Sequence, residues 1–154
     1  MCLIVDANRA ADTFAAPVSP DAVPVVQWLL RKDGRIVYGG RLTVELFRVE
    51  PARRALRELK RAGRAVELDY DAVDSETERV SSTGLCVSDD PHIIAVARVS
   101  GARVLFTSDS DLHRDFKNPR LVNGPRGTIY QSAKHADLLR HTAICPGPPS
   151  RPGR

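Results

Sequence analysis

The stretch Asp90-Pro-His-Ile-Ile-Ala-Val-Ala-Arg-Val-Ser-Gly101, followed by Arg103-Val-Leu-Phe-Thr107 and Ser108-Asp109-Ser110-Asp111, decides the fold. Pro91 suits a first helical turn, Asp89 or Asp90 suits the cap, and Gly101 suits the stop. Between them Ile93, Ile94, Ala97 and Val99 predict a largely buried helix. The apolar run that follows is too short for a helix and reads as a buried strand ending in acid. Helix, strand, acidic loop is one half of a βαβ unit, and the rest of the chain repeats it.

Upstream, Cys2-Leu-Ile-Val5 predicts a first strand closed by Asp6. A helix begins around Asp21, with Pro24 in its first turn and Val25, Val26, Leu29 and Leu30 on one face, and ends near Asp33-Gly34. Ile36-Val-Tyr38 is a second strand and Gly39-Gly40 a break. Leu42 to Val49 reads as helical, with Glu45 near its start. Pro51 opens a further helix with Ala55, Leu56, Leu59 and Ala62 inward, stopped by Gly63. Ala65 to Leu68 is a third strand, and Asp71 to Ser82 a polar helix whose Asp74, Glu76 and Glu78 read as a solvated face. Downstream come a strand at Gly127 to Tyr130 and a helix from about Ser132 to Leu139. Strands alternating with helices predict a three-layer α/β/α sandwich around a central, mostly parallel twisted sheet. Such sheets carry their functional groups at the C-terminal ends of the strands, where Asp6 and Asp109 fall.

The 154 residues, 42% hydrophobic, suffice for one core and exclude a disordered chain. The domain is expected over residues 1–141. A tail over 142–154, carrying Pro146, Pro148, Pro149 and Pro152, is expected to be disordered. No apolar run has the length of a membrane span, and Met1 to Val5 is short for a signal peptide, so a cytoplasmic protein is expected. Cys2, Cys86 and Cys145 show no ligand spacing and read as free thiols. Lys plus Arg exceed Asp plus Glu by 23 to 19, a net charge of +4 that mildly favours anionic partners. Arg53, Arg54, Arg57, Lys60, Arg61 and Arg64 concentrate the positive charge in one stretch, a candidate nucleic-acid-binding face.

Asp6, Glu45, Asp90 and Asp109 lie on four elements that this fold brings to one end of the sheet. Each has a plainer role open to it. Asp90 can cap a helix, Asp6 can sit in a turn, Glu45 can be an exposed helix residue, and Asp109 with Asp111 can form a turn with Ser108 and Ser110. Together they suggest an acidic centre, because gathered carboxylates repel and need a cation, a shared proton or water to compensate. Oxygen ligands alone point to Mg²⁺ or Mn²⁺, able to activate water against a phosphodiester.

Leu3-Ile-Val-Asp6-Ala-Asn8, Thr43-Val-Glu45-Leu-Phe47, Asp90-Pro-His-Ile93-Ile-Ala95-Val-Ala97 and Val104-Leu-Phe-Thr107-Ser-Asp109-Ser-Asp111-Leu112 resemble the motifs of the PIN-domain family of metal-dependent nucleases. The resemblance spans about residues 1–130. It implies catalytic acids at Asp6, Glu45, Asp90 and Asp109, metal ligation by Asp6, Asp90 and Asp109 with Asp111 as an auxiliary carboxylate, and supporting roles for Asn8, Thr107 and Ser108. It also implies an endoribonuclease, similar to the toxins of toxin–antitoxin pairs, which are homodimers restrained by a small antitoxin protein.

Three further readings fit parts of the pattern. A protein that grips RNA without cutting it would keep the same fold. A phosphoacceptor signalling domain also gathers carboxylates and Mg²⁺, but it needs an acidic pair after the first strand and a Lys after the last, where this chain has Tyr130-Gln131. A nucleotide-cofactor oxidoreductase is disfavoured by the lack of Gly-x-Gly-x-x-Gly after the first strand. His92, His113, His135 and His141 form no ligand pattern, and His92 is expected to project away from Asp90. Trp28 is expected in the core.

Overall fold

The computed structural model describes residues 2–32 and 34–139. Its element order is β1 (Cys2–Val5), a 3-10 turn (Ala7–Arg9), α1 (Ala10–Phe14), α2 (Val23–Arg31), β2 (Arg35–Tyr38), α3 (Arg41–Phe47) and α4 (Glu50–Arg61). Then follow β3 (Ala65–Glu67), α5 (Tyr70–Ser82), α6 (Pro91–Ser100), β4 (Val104–Phe106), α7 (Ser110–Lys117), β5 (Thr128–Tyr130) and a 3-10 helix (Ala133–Leu139). The expectations for the tail beyond residue 141, for Cys145 and for His141 lie outside the described residues.

All five strands are parallel, in the order β3-β2-β1-β4-β5. The inner strands β1 and β4 are buried along their whole length, which is why they read as unbroken apolar runs. Winding from β1 out to β3 puts α1, α2 and α4 on one face, where α1 packs on both α2 and α4. Winding back across from β3 to β4 and β5 puts α5 and α6 on the other, since right-handed crossovers reverse face when the direction reverses. The result is a three-layer α/β/α sandwich. Helix α3 touches both α4 and α6, so it joins the two outer layers.

Helix α6 is the central pillar. His92 through Ala97 are all buried, and Gly101 closes it in the left-handed region at φ 82°. It packs along α5, with Arg98 on α6 paired to Glu76 on α5 at 3.0 Å. Glu76 also holds Arg79, so it is not part of a purely solvated face, as expected from sequence, but a bridge between two helices. Trp28 lies in the core as expected.

Other departures are local. The helix expected over Leu42 to Val49 runs instead over Arg41–Phe47, with Gly40 (φ 57°) as its N-cap, so Glu45 is its fifth residue. The residues after Asp109 form helix α7 instead of a turn, and Ala133–Leu139 is a 3-10 helix. Cys2 is disulfide-bonded and not a free thiol, while Cys86 is free. Sequence spacing carries no information about cysteines that the fold brings together. Truncating Ile94, fully buried on α6, to Ala should lower the unfolding free energy by about 2–5 kcal/mol with the urea m-value unchanged, as measured by urea denaturation.

Candidate metal centre

The register between β1 and β4 builds the site. Val5 pairs with Phe106, and the Asp6 amide donates to the Phe106 carbonyl at 3.0 Å, so Asp6 and Thr107 leave the sheet side by side. The Thr107 hydroxyl donates to Asp6 Oδ2 at 2.7 Å. Asn8 Nδ2 donates to the same hydroxyl at 3.2 Å, and Asn8 Oδ1 accepts weakly from the Ser108 amide at 3.4 Å. Thr107 Oγ1 also accepts from the Asp109 amide at 3.2 Å, so Asn8, Thr107 and Ser108 lace Asp6 to the loop carrying Asp109.

Asp109 is the N-cap of α7. Its Oδ1 accepts from the amides of Asp111 and Leu112 at 2.9 and 3.3 Å, which leaves Oδ2 unused by the cap. Asp111 lies exposed in the first turn of α7.

Asp90 departs from the plain reading. It occupies the N-cap of α6, yet its side chain makes no capping hydrogen bond. Burial pushes its carboxyl up to about 6, and the charges of Asp6, Glu45 and Asp109 add to the rise while Arg41 opposes it. Asp90 therefore shares one electrostatic pocket with all three other acids, and Asp111 is not among the charges that weigh most on it. Burial also raises Asp6, which is only 6% exposed, with the Thr107 hydrogen bond acting against it.

Glu45 Oε1 lies 2.6 Å from Nε2 of His92 and 3.6 Å from Nε of Arg41. His92 thus faces the site, contrary to the sequence expectation. Helix α6 is buried almost all round, so a position that an amphipathic helix would give to solvent is turned towards α3. Burial holds His92 below its ordinary value, while the Glu45 charge pulls the other way.

The loop before Asp90 is anchored by a residue the sequence reading missed. Asp115 on α7 is 2% exposed and accepts from the Val87 amide (2.9 Å), the Ser88 amide (3.0 Å) and the Ser88 hydroxyl (2.6 Å). Ser88 Oγ in turn accepts from the Asp90 amide at 3.3 Å. An Asp among Arg114, Lys117 and other charges gives no sequence sign of burial.

The basic stretch is only partly free. Arg54 pairs with Glu50, Lys60 pairs with Glu67, and Arg64 turns inward to the Leu29 carbonyl at 2.7 Å. Arg53, Arg57 and Arg61 remain as an exposed stripe along α4. That helix runs away from the strand ends, so the stripe lies along the outside of the sandwich and not in the acidic pocket.

Among the described residues no three His, Cys, Asp or Glu side chains close into a preformed metal cage. Mg²⁺ does not require one, since it is held through one or two carboxylates with the remaining positions filled by water and phosphate oxygens. An uncapped, charge-opposed Asp90 beside Asp6 and the spare oxygen of Asp109 fits such a cation. No known protein family, curated protein or solved structure matches the chain, so the pattern of residues and this geometry carry the functional reading.

In metal-free protein, a carboxyl whose folded pKa is raised lends stability that is full below its unfolded value near 3.8 and lost as pH climbs through about 6. Asp90→Asn should therefore be more stable than wild type at pH 7.5, with the difference gone near pH 4, in urea unfolding with chelator present. Asp115→Asn replaces an acceptor with a donor against two amides and should cost about 1–3 kcal/mol in the same measurement.

Proposed function

We propose that the chain is a Mg²⁺- or Mn²⁺-dependent endoribonuclease of the PIN-domain kind, hydrolysing RNA phosphodiester bonds. The observation that carries the reading is the Asp90 carboxylate, which starts a helix without capping it and stands amid Asp6, Glu45 and Asp109 at the point where the sheet reverses its winding.

Asp6, Asp90 and Asp109 are the ligands, with Asp111 auxiliary. A bound divalent ion would lower the pKa of water and stabilise charge on the phosphodiester. Thr107 fixes the rotamer of Asp6, the α7 amides fix Asp109, and Glu45 takes a ligand's role or orients the attacking water. Arg41 at the rim and the Arg53, Arg57 and Arg61 stripe attract the phosphate backbone without reading sequence. The preference for RNA over DNA comes from the resemblance.

The same proposal includes a homodimer, a small antitoxin-like partner and work in the cytoplasm. An apolar groove of about 840 Å³, lined by residues such as Phe14, Val18, Val26 and Leu59, supports a protein partner. Leu30 on its wall is 66% exposed, a kind of surface that partners cover. No helix among the described residues is long and apolar enough to cross a membrane.

The test is cleavage of a folded RNA in Mn²⁺ by wild type, Asp6→Asn and Asp109→Asn. Both variants should lose at least ~100-fold in rate, since even groups that only support metal ligands are worth 10–100-fold, and chelator should abolish the wild-type activity. Equal cleavage by all three proteins refutes the proposal. Binding without cleavage by pure wild type would leave an RNA-gripping protein instead.

A further inference from the structure

His92 is 1% exposed, and its Nδ1 has no hydrogen-bond partner among the described residues. Its Nε2 lies 2.6 Å from Glu45 Oε1, a contact that works against the cost of burying the ring. Burying an imidazole with one ring nitrogen unpaired is costly, and an apolar side chain would fill a gap between α6 and α3 at less cost. The ring's place is therefore explained by what it does to Glu45 rather than by packing.

The two oxygens of Glu45 are not equivalent. Oε1 is shut away from water, facing His92 at 2.6 Å and Arg41 at 3.6 Å, whereas the side chain as a whole keeps 24% exposure. Oε2 therefore carries the exposed part of the carboxylate, whose charge reaches Asp6 and Asp90. A Glu side chain has three rotatable bonds, and in a pocket holding Asp6 and Asp90 its charge would swing outward, because like charges repel. A donor that holds Oε1 from the far side opposes that swing.

We propose that His92 is a positioning residue, which grips Oε1 of Glu45 and so presents Oε2 to the metal and water position of the pocket. This rests on the reading of the pocket as a divalent-metal centre. A substrate-free readout separates the two ideas, since metal binding can be measured without any nuclease activity.

The experiment is calorimetric titration of metal-free protein with Mn²⁺, together with thermal unfolding, for wild type, His92→Leu, His92→Gln and Glu45→Gln. Gln carries an amide N–H near the place of Nε2 and can still donate to Oε1. The expected result is a roughly 10-fold weaker Mn²⁺ affinity in His92→Leu, with Tm unchanged or raised, and recovery of most of the affinity in His92→Gln. Glu45→Gln should weaken binding at least as much as His92→Leu. Undiminished affinity in His92→Leu overturns the positioning role. So does an equal loss in the Leu and Gln variants, because shape and not the donor would then matter. No Mn²⁺ binding by wild type overturns the metal centre itself, and the role of His92 with it.

Discussion

The pairing of β1 with β4 is the constraint from which the site follows. These strands are neighbours in space although about a hundred residues apart in sequence, and they meet where the chain stops winding one way and begins winding the other. No connecting helix crosses their C-terminal ends, so a crevice stays open there. With Val5 against Phe106, Asp6 and Thr107 emerge abreast and bond directly. A slip of one residue would turn Asp6 to the opposite face of the sheet and break both the hydrogen bond and the pocket.

The acids gathered at that crevice are not treated alike by the fold. Asp6 receives the Thr107 hydroxyl, Asp109 receives two helix amides, and Glu45 has His92 and Arg41 close to one oxygen. Asp90 makes no capping hydrogen bond, and burial, with the charges of the other three acids, pushes its carboxyl up to about 6. One uncompensated carboxylate among three compensated ones is a local loss of stability in the metal-free chain. Sequences generally keep such a feature where it serves a purpose, since an Asn or Ser at the same cap would relieve the repulsion and satisfy the helix.

How much was legible in the sequence follows from how each residue signals its surroundings. The parallel strands were readable because burial on both faces leaves unbroken apolar runs, and α6 because Pro91 and Gly101 bracket it. The acids were readable as strand-end and helix-start residues. Helix α7 was not, because only Leu112 and Phe116 mark its buried face among charged neighbours, and its third buried residue is Asp115. The direction of His92 has no sign in the sequence for a related reason. Its direction depends on α3 packing over α6, a tertiary fact with no local trace. Arg64 looked like part of a basic face, but its guanidinium reaches back across the layer to Leu29.

Helix α7 explains why the pocket cannot relax its own repulsion. Asp109 caps its first turn, and Asp115 grips the loop that delivers Asp90. Six helical residues span roughly 9 Å, so one rigid element sets the spacing between two acids that come from separate crossovers. Charge alone would drive them apart, but moving Asp90 away means pulling two amides and a hydroxyl off a buried carboxylate, each bond to a charged group being worth about 1.5–3 kcal/mol. The anchor outweighs a repulsion that partial exposure to water keeps modest. The acids are therefore held in place by the fold itself, and the negative charge of the pocket is a property of the chain.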